Sequence, residues 1–317
     1  MQAAIAAANA TYDPAAEKAR YEAALATWEA AAEKAKAEKK PGPKKPEPPL
    51  APGACRGKVG HLYAARIRPM VPYAVRGVLW DQGESGTAIA NVNQFLLMGA
   101  LIKGWRKDWG RELPFIIVQK PSGGGCAFDK ADPVTANAEK FAPLPKAVPT
   151  DGADRELHIR IGEHPHTFVA TTSDLGSGIH PGNKFGYGSR AARVALGAVY
   201  GRPVESSGPT VKAASAEVSR VRVTFDHIGA GLVARHGEQV QGFAVAGADG
   251  AWSWGDTTID GDAVVLTCPT VPEPVSVRYA FSSRIPWANL FNKDGLPAVS
   301  FTAKVVRQAA AATPAAP

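Results

Sequence analysis

Two polar runs, each placed directly after an apolar stretch, carry the side chains in this sequence best suited to chemistry. Trp80-Asp81-Gln82-Gly83-Glu84-Ser85-Gly86 follows Ala74 to Trp80, and Asp174-Leu175-Gly176-Ser177-Gly178-Ile179-His180-Pro181 follows Thr167 to Thr172. If the apolar stretches are neighbouring parallel strands, both runs open at strand C-termini, where open α/β sheets keep their ligand crevices. A histidine with a carboxylate nearby is suited there to general-base work, because its ring titrates near ~6.5, close to neutral pH. His180 is therefore the candidate base.

The neighbouring alternatives are weaker. Gly83-Glu84-Ser85-Gly86 approaches a nucleophile elbow, but the elbow needs Gly-x-Ser-x-Gly and one residue is absent, which makes Ser85 a poor nucleophile. Ser122, in Lys120-Pro121-Ser122-Gly123-Gly124-Gly125, follows a strand, and a glycine-rich run of this kind ordinarily serves a turn. It is the one serine expected on a flexible loop just after a buried strand. Glu163-His164-Pro165-His166 offers two histidines without a third ligand, so no metal site is expected. His61, His158, His227 and His236 show no clustering that argues for a role.

The elements that must position these runs can be read from periodicity. A helix from about Pro14 to Lys39 starts at an Asp13 cap, with Pro14 in the first helical position and Glu17 in the first turn. Its Tyr21, Leu25 and Trp28 form one narrow apolar stripe, which needs something to pack against. Pro41 to Pro52 is a stiff, extended connector. Between Leu62 and Tyr200, buried strands at Ala74 to Trp80, Pro114 to Gln119 and Thr167 to Thr172 alternate with helices at Asn93 to Trp109 and Phe185 to Val199. That order implies a parallel sheet covered on both faces. After Pro203 the pattern changes to period-two strands at Val221 to Phe225, Val240 to Val245, Ala263 to Thr267 and Val275 to Phe281, a small β-sandwich. The expected organisation is a helix and connector over residues 1–52, an α/β domain over 53–203, a β-sandwich over 204–306 and a disordered tail over 307–317.

Composition narrows the function classes. With 32 Gly and 26 Pro in 317 residues, the chain falls well short of a low-complexity protein. Of the net charge of +7, the Pro-rich stretch between Glu33 and Glu47 supplies +3, its six lysines set against three glutamates in a solvated linker. No basic recognition helix or RNA-binding signature accompanies it, so no nucleic-acid partner is expected. No apolar run approaches the ~18 residues of a bilayer span. Met1 to Ala10 lacks the basic start and apolar centre of a signal peptide. Cys55, Cys126 and Cys268 fit neither a zinc spacing nor a disulfide framework; one bridge plus one free thiol is the alternative left open.

Arg76 to Ser85 resembles the "RGVIWYQGES" block of sialate O-acetylesterases, a branch of the SGNH (GDSL-like) hydrolases. Further stretches resemble that family in the same order. Leu62-Tyr63 with Ile67 and Pro69 is similar to "LYNGMIAPL". Leu101-Ile102 with Trp105-Arg106 and Trp109-Gly110 is similar to "LI.DWR..WG", and Pro114 to Gln119 to "PFLFVQ". Asp174-Leu175-Gly176, Ile179-His180-Pro181, Asn183-Lys184 and Gly188 are similar to "DLG…IHP.NK…G.R". Arg278-Tyr279-Ala280, Asn289-Leu290 and Gly295-Leu296-Pro297 are similar to "VRYAW…NLYN.EGLPASPF". The resemblance runs from about Leu62 to Thr302, and its specificity lies in the ordered set.

The resemblance implies an SGNH-hydrolase-like parallel sheet with flanking helices, followed by the β-sandwich. It implies an esterase that removes O-acetyl groups from sialic acid or other sugars, without metal or organic cofactor, in a family that is mostly exported. By position, His180 becomes the base and Gln82, Gly83, Glu84 and Ser85 line the acyl pocket. The family's nucleophile sits in a "GQSNM" block well upstream of "QGES", and no such block precedes Gln82 here. The α/β domain is accordingly expected to be incomplete, its nucleophile supplied by a missing N-terminal segment or a separate chain. The acid that orients the histidine usually lies two or three residues before it, where this chain has Gly178 and Ser177; Asp174 is the nearest carboxylate and stands as its replacement. Gly86 also replaces the usual Asn or Asp. The alternative expectation is a catalytically inactive remnant or a carbohydrate-binding module.

Overall fold

A computed structural model of the chain describes residues 1–84, 86–176, 178, 180–217 and 220–307. Two compact units are present: Met1–Tyr73 with Ser85–Gly104, and Ala74–Glu84 with Trp105–Pro317. In the first, α1 (Gln2–Ala10) precedes α2 (Pro14–Ala37). The Asp13 side chain accepts from the Ala15 and Ala16 N–H groups, satisfying two donors that a helix start leaves open. Tyr21, Leu25 and Trp28 are half-buried, and no residue of α2 is fully buried. The connector supplies part of that cover: Trp28 Nε1 donates to the Pro43 carbonyl at 2.8 Å, and the Lys45 ammonium lies over the indole. No described helix is long and apolar enough to cross a membrane.

The second unit begins with a three-stranded parallel sheet of β1 (Val78–Trp80), β2 (Phe115–Val118) and β3 (Thr167–Ala170), in the order β1-β2-β3. The helices α3 (Gln94–Trp109), α4 (Ala153–Ile159) and α5 (Lys184–Val194) alternate with these strands. Phe115, Ile116, Ile117 and Val118 are all buried, as expected of a central parallel strand. On one face Ile116 and Ala170 pack with Ala191 and Val194 of α5. The expectation of a buried strand from Ala74 to Trp80 needs correction: only Val78–Trp80 pairs, and Leu79 is 56% exposed, because β1 is the edge of the sheet. Trp80 is steadied instead by an edge-to-face contact with Trp105, which in turn meets Phe115.

The remaining strands are β4 (Thr210–Glu217), β5 (Arg220–Asp226), β6 (Leu232–Ala234), β7 (Phe243–Ala246), β8 (Trp252–Trp254) and β9 (Asp256–Asp260). They continue with β10 (Ala263–Thr267), β11 (Ser276–Tyr279), β12 (Leu290–Asn292), β13 (Phe301–Lys304) and β14 (Val306–Arg307). They form a five-stranded sheet, β14-β4-β5-β10-β9, a four-stranded sheet, β13-β11-β7-β8, and a two-stranded pair, β12-β6. Val221, Val223, Phe225, Val264 and Leu266 from the first share one core with Phe243, Val245, Val277, Tyr279 and Phe301 from the second. This is a sandwich built from the inward half of each period-two pattern. All three cysteines are free thiols, and burial pushes Cys126 up to about 12.

One side chain fastens the loop after β2 to the sandwich. Arg155 of α4 is wholly buried, and its guanidinium donates to the carbonyls of Pro121, Ser282 and Ser283 at 3.1, 2.9 and 2.8 Å, with Gly123 at 3.5 Å. Burial lowers its pKa to about 10, opposed by Asp151, so it stays charged at neutral pH. Lysine keeps the charge but not the planar fork. Arg155→Lys is expected to cost about 2–3 kcal/mol of stability, read from urea unfolding, because hydrogen bonds to a charged group are lost while the carbonyls stay buried.

Candidate functional site

The Asp81–Glu84 loop leaves the C-terminal end of β1 and meets the first residue after β2's own short extension, Lys120. The Lys120 ammonium, on a residue only 4% exposed, lies 2.7 Å from Asp81 Oδ1 and 2.5 Å from Glu84 Oε1. Burial works to lower the Lys120 pKa, but the two carboxylates outweigh it and hold it above the ordinary lysine range. Burial likewise works to raise Glu84, and the Lys120 ammonium with the Glu84 and Gly83 N–H groups hold it below the ordinary carboxylate range. Gly83 N donates to Glu84 Oε2 at 2.9 Å, so that N–H is occupied within the loop.

The floor of this cluster is His158 of α4, which the sequence reading left without a role. Its ring is buried, Nδ1 accepts the Lys120 backbone N–H at 3.2 Å, and Nε2 lies against Gly83. Gly83, at φ 153°, passes so close that a Cβ there would lie 2.8 Å from His158 Nε2, so glycine is required. The available cue was local: Arg155 and His158, three residues apart, are the two polar residues that α4 buries.

Burial first, and the Lys120 charge second, push the His158 ring down to about 4, against the Gln82 carbonyl and the Glu84 carboxylate. In the unfolded chain the ring titrates near ~6.5, so between these values the unfolded state binds more protons. Stability is therefore expected to fall by about 3 kcal/mol as pH drops from about 6.5 to about 4, then to level off with respect to this group. His158→Gln removes that component, visible as the difference between the two proteins' unfolding free energies across the range. Glu84 titrates below its ordinary value, so its own loss of stabilisation comes on as pH falls further.

The second run is organised around a different pair. Asp174 is buried and both its oxygens are taken by Arg190 of α5, Oδ1 at 2.9 Å and Oδ2 at 2.7 Å. Arg190 also donates to the Thr171 and Gly295 carbonyls. Among the described residues no hydrogen bond or ion pair joins Asp174 to His180. His180 is exposed and, among the described residues, makes no hydrogen bond or ion pair. Ser85, Ser177 and Ile179 lie outside the described residues.

Ser122 differs from its expectation as a serine on a flexible loop. It is 9% exposed, and the Tyr187 hydroxyl beside it donates to the Gly176 carbonyl at 2.5 Å. The loop around it is fixed by Gly123 N donating to Thr172 O and by Ile285 N donating to Gly124 O, both at 2.8 Å. A Cβ on Gly125 would fall 2.5 Å from Ser173 O, so only glycine lets the loop lie against the Asp174 segment. Two donors beside the cluster, Trp80 Nε1 and Gln119 Nε2, are buried without a partner among the described residues. Natural folds tolerate such a cost mainly at functional or strained positions. Among the described residues no group of three His, Cys, Asp or Glu side chains is arranged to hold a metal ion.

The fold and this cluster define a mixed α/β chain, a parallel sheet with flanking helices joined to antiparallel sheets, whose polar loops open at strand ends. No family model matches the chain, and no curated protein matches it. Among solved structures it is similar to XAC1771, described as a novel carbohydrate acetylesterase from Xanthomonas citri, with 34% identity and a TM-score of 0.63. The match covers 76% of this chain and 53% of that one, so the chain spans about half the length of the protein it resembles.

Proposed function

We propose that the chain acts on O-acetyl esters of carbohydrates, as a carbohydrate acetylesterase. The observation that carries this reading is the 34% identity to a carbohydrate acetylesterase over 76% of the chain. Within that class, the Arg76 to Ser85 run favours an SGNH-type hydrolase with acetylated sialic acid as substrate. In the proposed reaction a hydroxyl attacks the acetyl carbonyl while His180 takes its proton. Collapse of the tetrahedral intermediate then releases the sugar hydroxyl, which takes that proton from His180. Water hydrolyses the acetyl intermediate by the same exchange. Gly83 N–H is already used by Glu84, so the exposed Gln82 side-chain amide is the donor this loop can offer to the oxyanion. The attacking hydroxyl is not assigned to a residue of these 317, which hold no Gly-Gln-Ser-Asn run ahead of Gln82.

A second reading has one observation in its favour. With Asp174 committed to Arg190 and His180 without a hydrogen-bond partner among the described residues, the 317-residue chain would bind acetylated sugar without turning it over. Titration calorimetry with an O-acetylated sialic acid, run beside an acetate-release assay, separates the two. Release that is lost in His180→Ala supports the esterase, and heat of binding without release supports the binding module. Neither heat nor release overturns both.

A further inference from the structure

The two ring nitrogens of His158 touch two different loops. Nδ1 accepts the N–H of Lys120, which follows β2, and Nε2 lies against Gly83 in the loop that follows β1, where the Gln82 backbone favours a protonated ring. Only one protonation state serves both contacts. An acceptor at Nδ1 and a donor at Nε2 is the neutral ring carrying its proton on Nε2. A doubly protonated ring would set an Nδ1–H against the Lys120 N–H, donor against donor, and would place a second cation beside the Lys120 ammonium. We propose that His158 is the positioning residue of the Gln82–Glu84 loop: its neutral ring, protonated at Nε2, latches that loop to the Lys120 turn, and protonation of the ring releases it.

The surroundings are consistent with a latch of this kind. Lys120 and Glu84 act on the ring directly, and Asp81 is tied in through the Lys120 ammonium. Tyr187 shares the influence of Lys120 and Asp81, and Arg155 of the same helix is committed to backbone carbonyls. Gly83 leaves no gap between loop and ring, so the loop cannot keep its path if the imidazole shifts. The consequence for catalysis rests on the acyl-pocket reading of this loop given above; the latch itself rests on the ring geometry.

The test is a pH titration of the full ¹⁵N-labelled chain by NMR, from about pH 7 to about pH 2.5, following the His158 ring nitrogens and the Gly83 and Lys120 amides. The expected result is an Nε2-protonated ring at neutral pH, with both amide signals shifting at the midpoint of the ring itself. That shared shift should be lost in His158→Gln and should persist in Glu84→Gln. A ring protonated on Nδ1 at neutral pH overturns the proposal. So do amide shifts that survive in His158→Gln, or that vanish in Glu84→Gln and so assign control to the carboxylate. If His158→Gln does not fold, wild-type ring tautomer and Glu84→Gln titration still decide. An intact shared titration in a chain that neither binds nor hydrolyses acetylated sugar would sink the proposed function and leave the latch standing.

Discussion

Arg190→Met is expected to lower the unfolding free energy by about 3–5 kcal/mol, because it leaves the Asp174 carboxylate buried without its countercharge. The two side chains are only 6% and 2% exposed, and both Asp174 oxygens are engaged by the guanidinium, so water cannot replace the lost partner cheaply. Asp174→Asn is expected to cost a similar amount, since the guanidinium then loses its bidentate acceptor. The double variant should cost clearly less than the sum, as for residues in one network. Urea unfolding of the four proteins measures this directly. The same series decides what Asp174 is for. If Asp174 orients His180, Asp174→Asn would slow ester hydrolysis while leaving stability nearly unchanged, the opposite of what the pairing with Arg190 predicts.

The purified 317-residue chain should hydrolyse 4-nitrophenyl acetate or an O-acetylated sugar at least ~10³-fold more slowly than an esterase whose base holds its nucleophile, the scale of losing one member of a catalytic triad. A base accelerates acyl transfer only through a nucleophile within hydrogen-bond reach. His180 has no such partner among the described residues, and Ser122 is buried. Water activated by His180 leaves a small residual rate, which His180→Ala should reduce to that of buffer. Ser122→Ala should leave it unchanged. Turnover at ordinary enzyme rates would contradict the argument, and a loss of that turnover in Ser122→Ala would make Ser122 the nucleophile after all.

Much of the scaffold was legible because its signals are local. Asp13 and Pro14 mark the start of α2, the apolar run Phe115–Val118 marks a central strand, and alternation marks β5. The parallel sheet followed from the alternation of strands with helices, and the β-sandwich from the change of period after Pro203. Where local signals misled, the reason is the position of an element in its sheet. Ala74 to Trp80 is as apolar as a buried strand, yet β1 lies at the sheet's edge, and nothing in its own residues says how many neighbours it has.

The sequence by itself determined which polar runs sit at strand ends, because turn residues and strand periodicity are properties of adjacent positions. Only the tertiary structure decided which groups in those runs are paired. Asp174 meets a partner 16 residues away, and the Lys120 N–H meets the His158 ring 38 residues away, across separate elements. Such choices are made by desolvation: once packing has removed water, a buried charge or N–H must take whatever complementary group the fold brings within about 3 Å. Sequence spacing points to Asp174 as the carboxylate nearest His180. Burial gives Asp174 to Arg190, and gives an unremarked histidine, His158, to the loop that spacing had singled out.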